Sequence, residues 1–245
     1  MRIRLPIGRT LLFLGSFFLA LLALLPMRLG VDWFGLGTHG MAAREVQGSI
    51  WRGAFKEAQL GPIGLGDLSA GLHALPLLTG RARFALNRPA GQGNGQSGDA
   101  LSGAANVTRT GFGFDDVTGR LMLTPGALGR LPVAQLDLGD LTARFEDGQC
   151  AEAAGTVRAT IGGNFGGVAL PQGLSGTARC DAGALLLALA SQSSMETLEL
   201  RLTGDGRYTA SALIRSTDPA LQPRMEAAGF TLSGQGYTMT VNGGF

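Results

Sequence analysis

The sequence has little of what catalytic and metal sites need. It holds two histidines and two cysteines, and its only lysine is Lys56. No G-x-S-x-G, H-E-x-x-H, C-x-x-C or G-x-x-x-x-G-K-[ST] motif occurs. His39 and His73 lie far upstream of both cysteines, which matches no metal-ligand spacing. We therefore expect no enzyme, no cofactor and no metal site.

The charged residues form no concentrated patch. Four arginines lie in the first 28 residues, which leaves 16 basic and 18 acidic residues in the rest. No basic run is interleaved with aromatic residues, so we expect no nucleic-acid partner. Two acidic pairs, Asp115–Asp116 and Glu146–Asp147, lie near glycines. Neighbours in a strand point to opposite faces. We interpret both pairs as solvated turn residues, the scattered arginines as solvated strand faces, and His73 as a surface histidine.

One long apolar run is present, from Thr10 to Met27, and Arg9 and Arg28 flank it. As a helix it would be about 27 Å long, close to the bilayer core of about 30 Å. The exit of the run, Leu24 to Arg28, offers no A-x-A cleavage site, which favours an uncleaved anchor over a cleaved or misread signal. Residues 1–28 are then a cytoplasmic tip and a single transmembrane anchor.

The distribution of arginine predicts the orientation of this anchor. Arg2, Arg4 and Arg9 precede the run, and Arg28 alone follows it closely. Positive residues favour the cytoplasmic side. We expect an inner-membrane, single-pass protein with residues 29–245 in the periplasm.

Glycine is abundant, with 40 of 245 residues, yet no strict G-x-y period occurs. The glycines divide short alternations of apolar and polar residues, which is typical of many strands joined by tight turns. The predicted fold class is mainly β: a transmembrane helix, then a large, mostly antiparallel sheet, curved or a sandwich, with one short helix near the C-terminus. The Gly-rich loop at 91–98 marks a lobe boundary at 90–100.

Two stretches predict specific local structure. Residues 45–60 read as a β-hairpin whose turn is at Arg52-Gly53, with Trp51 near the tip. Trp51 is a core or rim residue or, alternatively, a hot spot for a partner. Asp218, followed by Pro219, is a good N-cap, and Gly229 can end the same helix. Further alternating strands are predicted at 68–74, 81–86, 117–123, 136–145, 155–161, 173–180, 198–202, 208–215 and 236–241.

The two cysteines, Cys150 and Cys180, are expected to form a disulfide if the predicted topology is right, because the periplasm is oxidising. Free buried thiols are the alternative. The loop of about 30 residues would contribute roughly 3–4 kcal/mol in the chain-entropy model.

The order of several short motifs resembles a known family. V-x-G-[ST]-I-W-x-G occurs at Val46–Gly53, and L-x-A-L-P-L-L-x-G at Leu72–Gly80. The two cysteines follow, then D-P-x-L…G-F at Asp218–Phe230 and G-Y-x-M-x-x-x-G-x-F at Gly236–Phe245. With the anchor and the chain length, this order resembles type II secretion system protein N. The resemblance implies a non-enzymatic inner-membrane component that serves in assembly or bridging between the inner-membrane platform and the outer-membrane secretin.

An alternative comes from another class. An anchor followed by a Gly-punctuated sheet also resembles AsmA-like envelope proteins, whose curved sheets can hold lipid along an apolar groove. The residues that would line such a groove are Leu68, Leu72, Phe84, Leu86 and Leu121. A closed sandwich would bury the same residues, and alternation does not separate the two cases. An exposed sheet edge could also receive a strand from another component.

Overall fold

The fold is one large antiparallel sheet preceded by a helix. The computed structural model describes residues 7–29, 41–61, 63–89, 100–124, 126, 128–162, 173–216 and 218–244. Within these ranges, 15 strands form a single sheet. The strands are β1 (Met41–Ala42), β2 (Glu45–Ser49), β3 (Arg52–Leu60), β4 (Ile63–His73), β5 (Ala82–Arg88), β6 (Leu101–Val107), β7 (Gly111–Leu123), β8 (Val133–Glu146), β9 (Gln149–Ile161), β10 (Gly173–Asp181), β11 (Ala184–Ala190), β12 (Glu196–Leu202), β13 (Arg207–Ile214), β14 (Thr231–Ser233) and β15 (Gly236–Gly244).

The helices are short except for the first. Helix α1 spans Ile7–Ala23, α2 is a single turn at Ala74–Leu77, and α3 spans Gln222–Ala228 after a 3-10 turn at Pro219–Leu221. In the described part of the chain, no helix combines the length and the apolar character needed to cross a membrane. The predicted run continued to Met27, but the helix ends at Ala23 because the residues after it turn to pack on the sheet.

Nearly every strand pairs with its neighbours in the chain. From β3 to β13 the order in the sheet is the order in the sequence, and β15 then pairs with β13, with β14 at the edge. The turns therefore alternate between two ends of the sheet. We call the end that carries the β2–β3, β4–β5, β6–β7, β8–β9, β10–β11 and β12–β13 connections the near end, and the opposite end the far end.

One departure from this order is a fork between β4 and β7. Strand β4 pairs with β5 through Ser69–His73, but its first residues, Ile63 and Gly64, pair with β7. The β5–β6 hairpin therefore occupies only the near-end part of the gap. Arg88, at the end of β5, donates hydrogen bonds to the carbonyls of Leu65 (2.6 Å) and Arg120 (2.5 Å). Its guanidinium thus joins β4 and β7 where they separate.

Two hydrophobic clusters lie on the same sheet. The smaller one belongs to the first strands and consists of Met27, Ile50, Phe55, Ala58, Leu68, Ala70, Leu72, Ala82 and Phe84. The larger one extends from the β7–β8 connection to the C-terminal strand, and it includes Met225 and Phe230 of the α3 segment. Side chains on the opposite face alternate with both clusters, and we call that face the outer face.

The predicted C-terminal helix is present, but Asp218 caps the 3-10 turn at Pro219–Leu221 and the α-helix itself begins at Gln222. The Asp218 carboxylate accepts a hydrogen bond from the Ala220 amide at 2.9 Å, as an N-cap does. Gly229 ends the helix with a φ of 97°, which glycine adopts without strain. Pro223 is tolerated because it lies in the first turn of α3, where its missing amide hydrogen has no helical acceptor.

Other predictions needed correction. The β2–β3 turn lies at Ile50-Trp51 and not at Arg52-Gly53, since Ile50 is held from both sides: its amide donates to Leu25 and its carbonyl accepts from Leu72. Strand β11 was not predicted. The lobe boundary predicted at 90–100 falls, except for residue 100, outside the described residues; the flanking strands β5 and β6 pair along their full length.

Candidate functional site

Trp51 lies in the tight β2–β3 turn at the near end. Its side chain is half-buried and packs against the smaller hydrophobic cluster. Its carbonyl lies close to Gly71, where a built Cβ would meet the Trp51 oxygen at 2.6 Å. The turn therefore contacts β4 directly, and a side chain at position 71 would displace Trp51. Trp51 therefore lies at the rim of the hydrophobic core and also borders the outer face of the sheet.

A shallow groove of about 530 Å³ adjoins Trp51. Its floor is the outer face of β3–β5, where Ala54 is paired with Ser69, Ser69 with Asn87, and Gly71 with Ala85. These side chains are small or uncharged. The full lining is Gln47, Gly48, Trp51, Arg52, Gly53, Ala54, Ser69, Ala70, Gly71, Ala85 and Asn87. Such a surface suits contact with a polypeptide because one aromatic anchor borders a flat face that is inexpensive to desolvate.

The residues expected to line a lipid groove are mostly buried against protein. Leu68, Leu72 and Phe84 belong to the smaller cluster, and Leu86 packs against it. The fifth residue, Leu121, packs against the larger cluster instead. The apolar surface of Leu68, Leu72 and Phe84 is covered by neighbouring side chains, and Leu86 and Leu121 are half-buried, so the five residues do not form one open apolar surface.

Cys150 and Cys180 form a disulfide, as predicted. It links β9 to β10 at the near end, beyond the pairs that these strands share, which stop at Thr156 and Thr177. The Cys150 amide also donates a hydrogen bond to the carbonyl of Gly183 at 2.8 Å. The disulfide thus secures two strands where their own hydrogen bonding has ended, which is a structural role.

An acidic residue that the sequence placed in a solvated turn is buried instead. Asp115 is only 6% exposed and accepts hydrogen bonds from Asn106 (2.5 Å) and Arg144 (3.0 Å). Arg83 lies 3.5 Å from the same carboxylate. The earlier interpretation is wrong because the groups that surround Asp115 come from three other strands, whereas Asp116, Glu146 and Asp147 are exposed as expected.

The Asp115 cluster stabilises the charged form of Arg144. Hydrogen bonding to Asp115 raises the pKa of Arg144 above its ordinary value, because the carboxylate favours the charged guanidinium. Arg144 also pairs with Glu152 on β9. In the row formed by Arg83, Asp115, Arg144 and Glu152, each charged side chain lies beside one of opposite charge. The arrangement therefore joins strands and leaves no group positioned for acid–base chemistry.

His73 shows no catalytic context. It is exposed on β4, and its pairing partner across the strands is Arg83. In the described ranges, no group of three or more His, Cys, Asp or Glu side chains is arranged to hold a metal ion.

The two edges of the sheet differ. On one side, Pro26 forms a bridge with Ser49 of β2, and Arg28 donates to the Val46 carbonyl at 3.3 Å, so residues after α1 cover part of this edge. On the other side, the edge strand β14 is short and all three of its side chains are exposed.

A comparison with known families assigns the chain to one of them. The family model described as "Type II secretion system (T2SS), protein N" matches residues 39–240. The chain belongs to the type II secretion system protein N family. The matched residues include Trp51, the groove beside it, the fork and the disulfide. No curated protein and no solved structure matches the chain significantly.

Proposed function

We propose that this chain is a non-enzymatic, inner-membrane-anchored component of the type II secretion machinery. It assists the export of folded proteins across the outer membrane through protein–protein contacts in the periplasm. The observation that carries the proposal is the protein N family match over residues 39–240. The buried positions of Leu68, Leu72 and Phe84 favour it over a lipid-carrying groove.

The exposed side chains of α1 support the anchor. Leu12 and Phe13 are 72% and 75% exposed, and apolar residues are exposed on all sides of the helix. A helix that is apolar all round requires an apolar environment. The three arginines that precede the apolar run support a cytoplasmic N-terminus and a periplasmic sheet.

The groove beside Trp51 is the proposed contact with another secretion component, from the inner-membrane platform or the secretin. Truncating a central interface aromatic costs about 2 kcal/mol or more in binding, which lowers affinity roughly 30-fold. We therefore expect Trp51→Ala to reduce secretion strongly and Trp51→Phe to reduce it little, because Phe retains most of the apolar contact.

The test is in-cell crosslinking from the full chain. A photoreactive side chain replaces Ala54, an exposed residue of the groove, and in a matched control it replaces Thr240, an exposed residue of β15. Position 54 should crosslink a secretion component, and Trp51→Ala should abolish that product. Equal products from positions 54 and 240, or wild-type secretion by Trp51→Ala, would contradict the assigned contact.

A separate experiment tests the topology. A reporter that is active only in the periplasm is fused after Phe245 and should be active. Activity of a cytoplasm-specific reporter at the same position would overturn both the anchor orientation and the periplasmic role.

A further inference from the structure

The β4–β5 connection is unusual among the near-end turns because it is apolar and exposed. It consists of α2 and the residues up to Arg81. Leu75 is 80% exposed and Leu78 is 85% exposed, and Leu77 is also exposed. We call residues 74–81 the apolar tip. Two neighbouring leucines this exposed at the end of a sheet indicate a contact with something outside the chain.

Four backbone amides of the apolar tip donate hydrogen bonds within the tip itself. The amides of Leu78, Thr79 and Gly80 donate to carbonyls three residues back, at 3.2, 3.0 and 3.0 Å. The Arg81 amide donates to the Pro76 carbonyl at 3.1 Å, and the Thr79 hydroxyl donates to the same oxygen at 2.8 Å. Peptide groups paired in this way can leave water at little cost, which is the condition for entering a lipid interface.

The apolar tip lies at the end of the sheet where α1 attaches. The Ile50 amide donates to the Leu25 carbonyl at 2.9 Å, two residues beyond the end of α1. The Ile50 carbonyl accepts from the Leu72 amide at 3.0 Å, and Leu72 precedes the tip by two residues. Two consecutive hydrogen bonds therefore connect the end of the helix to the base of the tip.

Exposed arginines accompany the tip, and the turns that carry them contain no carboxylate of their own, although Glu146 and Asp147 adjoin the third turn through the bond from the Asp147 amide to the Thr110 carbonyl. Arg52, Arg81 and Arg109 are exposed in the first three near-end turns, at 49–53, 73–83 and 107–112. These three segments contain no Asp or Glu. The later near-end turns are different, since they carry Glu146, Asp147, Asp181 and Asp205. Positive charge is thus concentrated at the part of the near end that adjoins α1.

We infer that the apolar tip and Arg52, Arg81 and Arg109 bind the surface of a bilayer that contains anionic lipids, beside α1. Leu75 and Leu78 enter the interfacial region, and the arginines lie at the level of the phosphate groups. The inference rests on the proposed anchoring by α1, which brings this end of the sheet to the membrane. It assigns the protein a second membrane contact, which determines the orientation of the sheet relative to the bilayer.

The test uses the full chain in vesicles of phosphatidylethanolamine and phosphatidylglycerol. A benzoylphenylalanine side chain replaces Leu78 in one variant, Leu14 of α1 in a second and Leu232 of β14 in a third. All three positions are more than half exposed, at 85%, 56% and 56%. After illumination, mass spectrometry measures lipid adducts at each position. We expect adducts at 14 and 78, with a yield at 78 several-fold higher than at 232.

Charge removal provides the matched control. Arg52→Gln, Arg81→Gln and Arg109→Gln together should lower the yield at position 78 several-fold and leave the yield at position 14 unchanged. Vesicles of phosphatidylcholine alone should have the same effect.

The outcomes separate the two proposals. Adducts at 14 without adducts at 78 would overturn the tip contact and leave the anchor standing. Adducts at 78 without adducts at 14 would support the tip contact and contradict anchoring by α1. Crosslinking of position 78 to a second copy of the chain, in place of lipid, would also overturn the inference.

Discussion

Arg144 places both its Nε and its Nη2 atoms 3.0 Å from a single oxygen, Oδ1 of Asp115. The second carboxylate oxygen faces Asn106 and Arg83. Because these residues come from β5, β6, β7 and β8, one carboxylate joins four consecutive strands on the outer face. A neutral side chain at position 115 cannot compensate the two guanidinium groups.

Asp115→Asn should therefore lower the free energy of unfolding by about 1–3 kcal/mol, the cost of leaving buried hydrogen-bonding partners unsatisfied. Asp116→Asn is the matched control. Asp116 is exposed and has a φ of 51°, which asparagine tolerates, so a change within about 0.5 kcal/mol is expected. Urea denaturation of the full chain in detergent measures both. Equal losses in the two variants would show that the Asp115 contacts contribute nothing specific.

Arg88→Met should also destabilise the fold, by about 1–3 kcal/mol, because it removes the donors to the Leu65 and Arg120 carbonyls at the fork. Hydrogen exchange should accelerate at the fork residues of β4 and β7 before it does elsewhere. Arg109→Met, at an exposed turn position, should leave both measurements unchanged. A wild-type exchange pattern in Arg88→Met would refute the bridging role.

Replacing both cysteines, Cys150→Ser with Cys180→Ser, should reduce the free energy of unfolding by about 3–4 kcal/mol, the chain-entropy value for a loop of this length. Reductant should produce a similar loss in the wild-type protein and none in the double variant. If reductant leaves the wild-type denaturation midpoint unchanged, the disulfide contributes no stability.

The pKa of Asp205 should be about 2, because the Thr203 hydroxyl and then the Arg207 side chain hydrogen-bond to its carboxylate. A lowered pKa in the folded state favours folding above the unfolded value of about 3.9, and this contribution is lost as the pH falls toward 2. An NMR titration of the Asp205 side chain measures the midpoint. Thr203→Val should raise it toward 3.9; an unchanged midpoint in that variant would exclude the hydroxyl as the main cause.

Local signals in the sequence predicted the elements that local chemistry determines. Asp218, Pro219 and Gly229 defined the C-terminal helix because capping and proline geometry act within one turn. The alternation of apolar and polar residues located β12 and β13 for the same reason, because the polarity of each side chain indicates which face of the sheet it occupies. Strand β11 was not predicted because its apolar residues do not alternate with polar ones. Leu186 lies on the outer face between Arg179 and Arg201, yet it is buried like its inner neighbours.

Contacts between distant strands were beyond what the sequence shows. Asp115 follows a glycine-rich stretch and reads as a turn residue, and only the pairing of β5 through β8 brings Arg83, Asn106 and Arg144 to it. The fork that Arg88 joins has no local signature, since it depends on β4 pairing with two different strands. Trp51 was located at its turn, but the groove beside it exists only because β3, β4 and β5 are neighbours.

The sequential order of the strands has a consequence for how the chain folds. Each hairpin can form from residues that are adjacent in the chain, so loop closure costs little at each step and the sheet can grow in the direction of synthesis. One pair that is distant in the chain is Ile63 with Leu123, which must wait until the 59 intervening residues have been synthesised. Arg88 can donate to both of its acceptors only after Arg120 of β7 has been synthesised, so the fork is completed later than the hairpins on its two sides.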